Sequence, residues 1–265
     1  MAEENIRGRF VWHELMTTDP EGAKAFYAAV IGWEAKAWEG GDQPYTLLMW
    51  GDSRMGGLMK LSPEAQAMGA RPFWIAYIGT PDVDATTDRA RELGATIHKP
   101  PSDIPTIGRF SVIQDPQGAS FAAFTPTPQD GPRPETKPGL GDWSWHELVT
   151  TDRAAAWDFY SDLFGWENPP EWNMDMGPDG VYQMYGRNGT MYGGIYNKGK
   201  DTPGPPAWLH YIHVEDVHNT SEKVKQHGGQ IVTGPMEVPG GSWIAVGTDP
   251  QGAPFAVHHI APAGS

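Results

Sequence analysis

Two glutamates, Glu14 and Glu147, are the side chains best placed to act as a general base or as an acceptor for the N–H or O–H group of a ligand. Each lies in a Trp-x-Glu-Leu sequence, two residues after Trp12 or Trp145. Alternate residues of a strand point to one face, so each glutamate should share a face with its tryptophan. An unpaired carboxylate beside an indole is costly to ionise. We therefore expect that each glutamate either has a hydrogen-bonding partner or has a raised pKa, as suits a general base. The alternative, which the sequence supports equally, is that backbone amides bind each glutamate and that it only stabilises the fold.

The second half of the chain also contains residues that could bind a metal ion. Glu147, His213 and His258 would share one face of a sheet if their strands alternate regularly. Two imidazoles and a carboxylate can bind Zn, Fe, Ni or Mn, or can act as an acid–base set. Gly79 and Phe124 occupy the corresponding places in the first half, so only the second half could form this site. Histidines with no ligand role are the alternative.

The aromatic content predicts walls for a planar or apolar ligand. The chain has 12 Trp, 9 Tyr, 9 Phe and 11 Met, and a stacked ring contributes about 1 kcal/mol. Core filling is the alternative for these rings. Arg109 could clamp a carboxylate or phosphate, or pair with a surface acid. The candidate ligand-binding residues are Phe10, Trp12, Met16, Tyr77, Arg109, Trp143, Trp145, Tyr211 and Trp243.

The elements that must position these residues occur twice. The sequence FVWHELMTTD at 10–19 reappears as WSWHELVTTD at 143–152, and Asp-Pro-Gln-Gly occurs at 115–118 and at 249–252. Five prolines at 126–138 predict a stiff connector between the copies. We therefore predict domains at 1–125 and 143–265, joined by a linker at 126–142.

Each copy contains the same succession of local signals. An alternating strand ends at Asp19 or Asp152, which is a good N-cap for the helix that follows. Short aromatic and β-branched runs then predict three strands, and the whole pattern starts again near Trp74 and Leu209. Each copy is thus predicted to be βαβββ followed by βαβββ.

This arrangement resembles the vicinal oxygen chelate superfamily, which includes glyoxalase I, extradiol dioxygenases, fosfomycin-resistance enzymes and bleomycin-binding proteins. Tyr27 and Tyr160, each eight residues after the capping aspartate, and the two Asp-Pro-x-Gly turns carry the resemblance, which is closest to a tandem glyoxalase-like branch. It implies an α+β fold of two tandem domains, each a pair of βαβββ modules that form a cupped mixed sheet with helices outside. It leaves the chemistry open, because members isomerise, cleave, transfer or only sequester.

The resemblance also implies where the family's metal ligands would lie. In this sequence those positions are Trp12, Ile75 and Ala122 in the first copy and Trp145, Leu209 and Ala256 in the second. None of these side chains can bind a divalent cation, so we expect no metal cofactor at the family site. His13 and His146 each follow one position later and should face the helix layer as core residues, unless a bulge reverses the strand. His210 and His259 have the same unfavourable phase.

Composition excludes several classes of function. The absence of cysteine excludes disulfides, thiolate nucleophiles and cysteine-bound metals. The 33 acidic and 19 basic residues give a net charge of −14, which opposes nucleic-acid binding. No stretch approaches the ~20 apolar residues of a membrane span, and the first residues lack the apolar core of an export signal. We expect a cytoplasmic monomer or homodimer with no nucleic-acid or membrane partner.

Three functions are compatible with these features. The first is a glyoxalase-like protein that binds a small planar or apolar molecule in aromatic-lined cups without a metal, as a sequestering module or as an enzyme that uses Glu14 or Glu147. The second is a metal-dependent lyase, isomerase or dioxygenase whose metal site has moved to Glu147, His213 and His258. The third is a scaffold whose acidic surface binds a protein partner.

Overall fold

The computed structural model describes residues 6–40, 44–67, 69–127, 137–199, 202 and 204–261, without the side chain of residue 179. Most of the predicted linker, with the prolines at 128, 132 and 134, lies outside the described residues. No helix within those ranges is long and apolar enough to cross a membrane.

The described residues form sixteen strands and five α-helices in the predicted order. In the first repeat these are β1 (Phe10–Thr17), α1 (Pro20–Val30), β2 (Glu34–Trp38), β3 (Tyr45–Trp50), β4 (Ser53–Lys60), α2 (Pro63–Ala67), β5 (Phe73–Gly79), α3 (Val83–Glu92), β6 (Thr96–Ile104), β7 (Gly108–Gln114) and β8 (Ser120–Pro126). In the second repeat they are β9 (Trp143–Thr150), α4 (Arg153–Phe164), β10 (Asn173–Asp175), β11 (Val181–Arg187), β12 (Thr190–Asn197), β13 (Ala207–His213), α5 (Val217–Gln226), β14 (Gln230–Glu237), β15 (Trp243–Thr248) and β16 (Pro254–His259). The short helix α2 was not predicted.

The four long helices begin as their sequences predict. The side chains of Asp19, Asp82, Asp152 and Asp216 each accept a hydrogen bond from the backbone N–H three residues later. This bond satisfies a donor that the first helical turn leaves free. The capping aspartates therefore fix where each strand ends and each helix starts.

Each repeat forms one eight-stranded mixed sheet. The strand orders are β2-β3-β4-β1-β5-β8-β7-β6 and β10-β11-β12-β9-β13-β16-β15-β14. The pairs β1–β4, β5–β8, β9–β12 and β13–β16 are parallel, whereas the outer strands pair antiparallel. The predicted α+β fold of two tandem domains is confirmed.

The chain also divides into two compact units that cut across the repeats. One unit comprises 1–11, 75–135 and 146–208, and the other comprises 12–74, 136–145 and 209–265. Each unit therefore combines one βαβββ module from each repeat, and the division points fall inside β1, β5, β9 and β13. The domain boundaries at 125 and 143 concern the sequence repeats and stay a prediction.

A buried tyrosine links the two modules of the unit that contains 12–74. The hydroxyl of Tyr27 on α1 donates to Asp249 Oδ2 at 3.4 Å and accepts from Trp74 Nε1 at 2.8 Å. The other oxygen of Asp249 accepts from the backbone N–H groups of Gln251 and Ala253, which fixes the Asp-Pro-x-Gly turn. Tyr27 and Asp249 are at most 2% exposed, so the network lies inside the core.

The unit that contains 75–135 repeats this network with the partners exchanged. Tyr160 on α4 donates to Asp115 Oδ2 at 3.0 Å and accepts from Trp208 Nε1 at 3.0 Å. Asp115 Oδ1 accepts from the backbone N–H groups of residues 117, 118 and 119. In both units the tyrosine of one repeat thus binds the Asp-Pro-x-Gly turn of the other repeat.

Replacement of Tyr27 or Tyr160 by Phe should lower the free energy of unfolding by about 1–3 kcal/mol, because a buried carboxylate and a buried indole each lose a partner. Urea denaturation at neutral pH measures this loss.

The pH dependence of that loss provides a control. Burial raises the pKa of Asp249, whereas the Tyr27 hydroxyl opposes that rise. A raised pKa favours the folded state at low pH, and this contribution is lost as the pH rises. Tyr27→Phe raises the pKa of Asp249 further, so its deficit should shrink on acidification. An equal deficit at pH 7.5 and pH 5 would contradict this assignment.

Candidate functional site

Glu14 on β1 accepts a hydrogen bond from a tyrosine that reaches it from β3. The carboxylate interacts with the Tyr45 hydroxyl, which also accepts from Trp12 Nε1 at 2.9 Å. Burial, and then the charge of Glu14, raise the pKa of Tyr45 far above its usual value near 10. The phenol therefore stays protonated at neutral pH and donates to the carboxylate.

Glu147 on β9 has the same kind of partner in the second repeat. Tyr182 on β11 donates to Glu147 Oε2 at 2.9 Å. Tyr196 on β12 is hydrogen-bonded to the same carboxylate, and burial together with Glu147 raises the pKa of this phenol well above 10. The rings of Tyr182 and Tyr196 are stacked with their centroids 5.7 Å apart. Glu147 thus accepts from two phenols.

Glycine makes room for each tyrosine. Gly57 on β4 is in register with Glu14, and Gly194 on β12 is in register with Glu147. A Cβ atom on Gly57 would collide with the Tyr45 hydroxyl, and one on Gly194 would collide with the Tyr182 ring. The repeat pattern did not predict either tyrosine as a partner of the glutamates, because the two tyrosines are 137 residues apart whereas the first strands repeat at 133.

Three buried histidines on β1, β9 and β13 form a second cluster. One ring nitrogen from each of His13, His146 and His210 lies within 4.8 Å of the other two. The rings of His13 and His210 meet edge to face at 4.8 Å. Trp143 stacks on His13 at 4.1 Å, and Phe10 stacks on His146 at 3.8 Å.

The donor set of this histidine cluster fits a transition-metal ion. Neutral imidazoles bind Zn, Fe, Ni and Cu, and three histidines are a known zinc ligand set. Burial lowers the pKa of His210 to about 3, so at neutral pH this ring carries no charge that would repel a cation. The cluster could therefore hold a metal ion.

The structure gives several predicted ligand-binding residues other contacts. Phe10 and Trp143 stack on the buried histidines and pack against the cores. Arg109 binds both oxygens of Asp84, at 2.7 and 2.9 Å, and Asp103 at 2.8 Å. The roles of these three residues in ligand binding stay predictions.

The remaining predicted ligand-binding residues also lie on strands. Met16 and Trp145 are half-buried. The other three have aromatic neighbours. Between ring centroids, the distance is 5.9 Å for Tyr77 and Phe110, 6.3 Å for Tyr211 and His258, and 4.8 Å for Trp243 and His218. Their roles as ligand-binding residues stay predictions, as does that of Trp12.

The histidine cluster differs from the metal site predicted from the sequence, which consisted of Glu147, His213 and His258. His213 and His258 pair in register on β13 and β16, and Glu147 is bound to Tyr182. Within the described residues, His13, His146 and His210 are the one group of three that satisfies the distance needed for a shared ion. The role of the other set as a metal site stays a prediction.

Comparison with known proteins identifies two matching segments and full-length relatives. Residues 9–122 and 144–257 match the model of the Glyoxalase/Bleomycin resistance protein/Dioxygenase superfamily. The chain is 30% identical over 254 residues to the Mycobacterium bovis protein CFP32, named as a candidate glyoxylase, with 95% of this chain and 94% of that one covered. It is 27% identical over 261 residues to the anthracycline biosynthesis protein DnrV of Streptomyces peucetius, with 94% and 92% covered.

Solved structures share the fold at lower identity. The Mn(II)-bound glyoxalase of Novosphingobium aromaticivorans has a TM-score of 0.63 at 17% identity, with 96% of this chain and 82% of that one covered. A variant of homoprotocatechuate 2,3-dioxygenase from B. fuscum has a TM-score of 0.66 at 17% identity, with 97% and 72% covered.

The prediction that the protein has no metal cofactor is wrong: the histidine cluster, within a fold shared with a Mn(II)-bound glyoxalase, points to a metal. His13, His146 and His210 each follow a family ligand position by one residue, so they occupy the opposite phase of their strands. Sequence phase identified them as core residues. It could not show that three strands bring them together.

Replacement of Gly57 by Ala should displace Tyr45 from Glu14, because the new methyl group takes the place of the hydroxyl. The pKa of Tyr45 should then fall toward 10, and an alkaline titration followed by ultraviolet absorbance should count one more ionising tyrosine. Gly139→Ala is the control, since its Cβ would meet only Asp142 Oδ2 at 3.4 Å. An unchanged count would contradict this interpretation.

Substitution of a buried histidine should reduce metal retention. His146→Asn or His210→Asn should lower the affinity for Zn²⁺ or Ni²⁺ by about tenfold or more, since losing a ligand should cost at least as much as losing an outer-shell partner. Equilibrium dialysis followed by metal analysis measures this change. The exposed His227→Asn is the matched control, and equal retention in all variants would show that the cluster holds no ion.

Proposed function

The chain belongs to the Glyoxalase/Bleomycin resistance protein/Dioxygenase superfamily, and on that basis we propose that each repeat binds a planar aromatic small molecule, whose hydroxyl group donates to Glu14 in the first repeat or to Glu147 in the second. The observation that supports this proposal most directly is the carboxylate–phenol pair, which occurs in both repeats at the same strand register. We also propose, from the sequence, that the protein acts in the cytoplasm as a monomer or homodimer.

The phenols prepare each carboxylate for a ligand. A carboxylate has about four lone-pair sites, so a donated tyrosine hydroxyl leaves acceptor capacity for a ligand hydroxyl. Tyr45 and Tyr182 donate to their glutamates and hold them in one orientation. Binding then costs less side-chain entropy, because the acceptor is already positioned.

The aromatic rings around the carboxylates favour a planar ligand. Trp12 is hydrogen-bonded to Tyr45, and Trp38 packs edge to face on Tyr45 at 5.6 Å. Tyr182 and Tyr196 stack beside Glu147. DnrV is named for anthracycline biosynthesis, and anthracyclines are planar, hydroxylated, polycyclic molecules. That likeness supports the proposed class of ligand.

The histidine cluster favours a second candidate function, a metal-dependent lyase, isomerase or dioxygenase. His13, His146 and His210 would hold the ion, which when bound supplies a Lewis acid that polarises an oxygen atom. The similarity to CFP32, which is named as a candidate glyoxylase, also favours a metal-dependent enzyme.

Replacement of Glu14 or Glu147 by Gln should weaken binding of an anthracycline aglycone by about tenfold, because a hydrogen bond to a charged acceptor is lost. Quenching of tryptophan fluorescence measures the affinity. The exposed Glu171→Gln is the matched control.

Each outcome of this titration has a distinct meaning. Failure of the wild-type protein to bind the aglycone would overturn the ligand class, and unchanged affinity of both glutamine variants would overturn the role of the carboxylates. Conversion of bound aglycone by metal-loaded protein, abolished by a chelator, would establish the second candidate function.

A further inference from the structure

Two histidines on neighbouring strands of the second repeat project from paired positions. His213 on β13 lies opposite His258 on the parallel strand β16. Both side chains are half-buried. Paired residues of adjacent strands project to the same face of a sheet, so both imidazoles lie on one face, and the charge of His213 acts on His258. Neither residue belongs to the buried histidine cluster.

The hydrogen bonds of His213 determine which ring nitrogen carries the proton. Its Nδ1 atom lies 3.2 Å from the carbonyl oxygen of Pro138 and 3.1 Å from that of Gly139. A carbonyl oxygen can only accept, so Nδ1 must donate. In the neutral ring, Nε2 therefore carries the lone pair.

The same reasoning applies to His258. Its Nδ1 atom lies 3.1 Å from Ser144 Oγ, and the Ser144 hydroxyl donates its one proton to the carbonyl oxygen of Tyr211 at 3.3 Å. Ser144 Oγ must then accept from Nδ1 of His258, which leaves Nε2 as the lone-pair atom. Burial, reinforced by His213 and His259, lowers the pKa of His258 to about 4. The ring is therefore neutral at pH 7.

Proteins orient metal-binding histidines in this way, with one ring nitrogen donating to an oxygen and the other left for the metal. We infer that His213 and His258 bind a late divalent transition-metal ion, such as Cu²⁺ or Ni²⁺, through their Nε2 atoms. Two imidazoles suit these ions and leave coordination positions for water or for a ligand oxygen. The site shares no residue with the three-histidine cluster and does not depend on the proposed ligand.

The first repeat offers no ligand atoms at the equivalent strand positions. Gly79 and Phe124 pair in the same register on β5 and β8, and neither offers a ligand atom. Gly79 instead accommodates Ile6, whose side chain lies where a Cβ atom on the glycine would project. The two repeats therefore differ in chemistry at equivalent strand positions.

Copper titration of chelator-treated protein tests this inference. His213→Asn or His258→Asn should bind one equivalent of Cu²⁺ fewer than the wild type, as measured by calorimetry. Electron paramagnetic resonance should lose the nitrogen couplings of that site. His218→Asn, an exposed histidine near Trp243, is the control and should bind as many equivalents as the wild type.

Two further variants separate this site from the buried cluster and from misfolding. His210→Asn should leave the signals of the His213–His258 site intact. Ser144→Ala keeps both ligands but removes the acceptor that orients His258, so it should weaken copper binding by about tenfold or more. Unchanged stoichiometry in His213→Asn and His258→Asn, or a wild-type spectrum without nitrogen couplings, would overturn the inference.

Discussion

A tyrosine hydroxyl buried between an indole and a carboxylate connects the modules of each core. Tyr27 and Tyr160 accept from tryptophan and donate to aspartate in surroundings from which water is excluded. A polar group left unpaired there would cost more than it does at the surface, so the network specifies one arrangement of the modules. Each tyrosine belongs to one repeat and its aspartate to the other. The duplication thus supplies each core with partners that a single repeat lacks.

The first strand of each repeat performs two tasks because its side chains alternate. His13 and His146 point into the core, where aromatic rings stack on them. Glu14 and Glu147, one residue later, point the other way and accept from tyrosines. One short sequence therefore supplies both an imidazole of the histidine cluster and a carboxylate that accepts from tyrosine. Gly57 and Gly194 on the adjacent strands keep the space that each tyrosine needs.

The two repeats keep the carboxylate–phenol pair but differ around it. Glu147 accepts from Tyr196 as well as Tyr182, whereas the strand register places Met59 at the position of Tyr196 in the first repeat. His213 and His258 likewise replace Gly79 and Phe124. The second repeat thus has one more phenol at its carboxylate, and two imidazoles where the first repeat has a glycine and a phenylalanine.

The sequence alone determined the features that depend on local physical chemistry. Aspartate caps, alternating strands and repeated turns follow from near neighbours, so they predicted the order of strands and helices and the tandem fold. The strand phase also placed Glu14 apart from His13. Tertiary structure alone decided what meets through space: three histidines from three strands, tyrosines that cross a glycine to reach Glu14 and Glu147, and the pairing of Tyr27 with Asp249. Side-chain alternation predicts which residues of one strand share a face. A metal site depends instead on the distances between side chains of several strands. For that reason the sequence located the carboxylates but led to a wrong prediction about the metal.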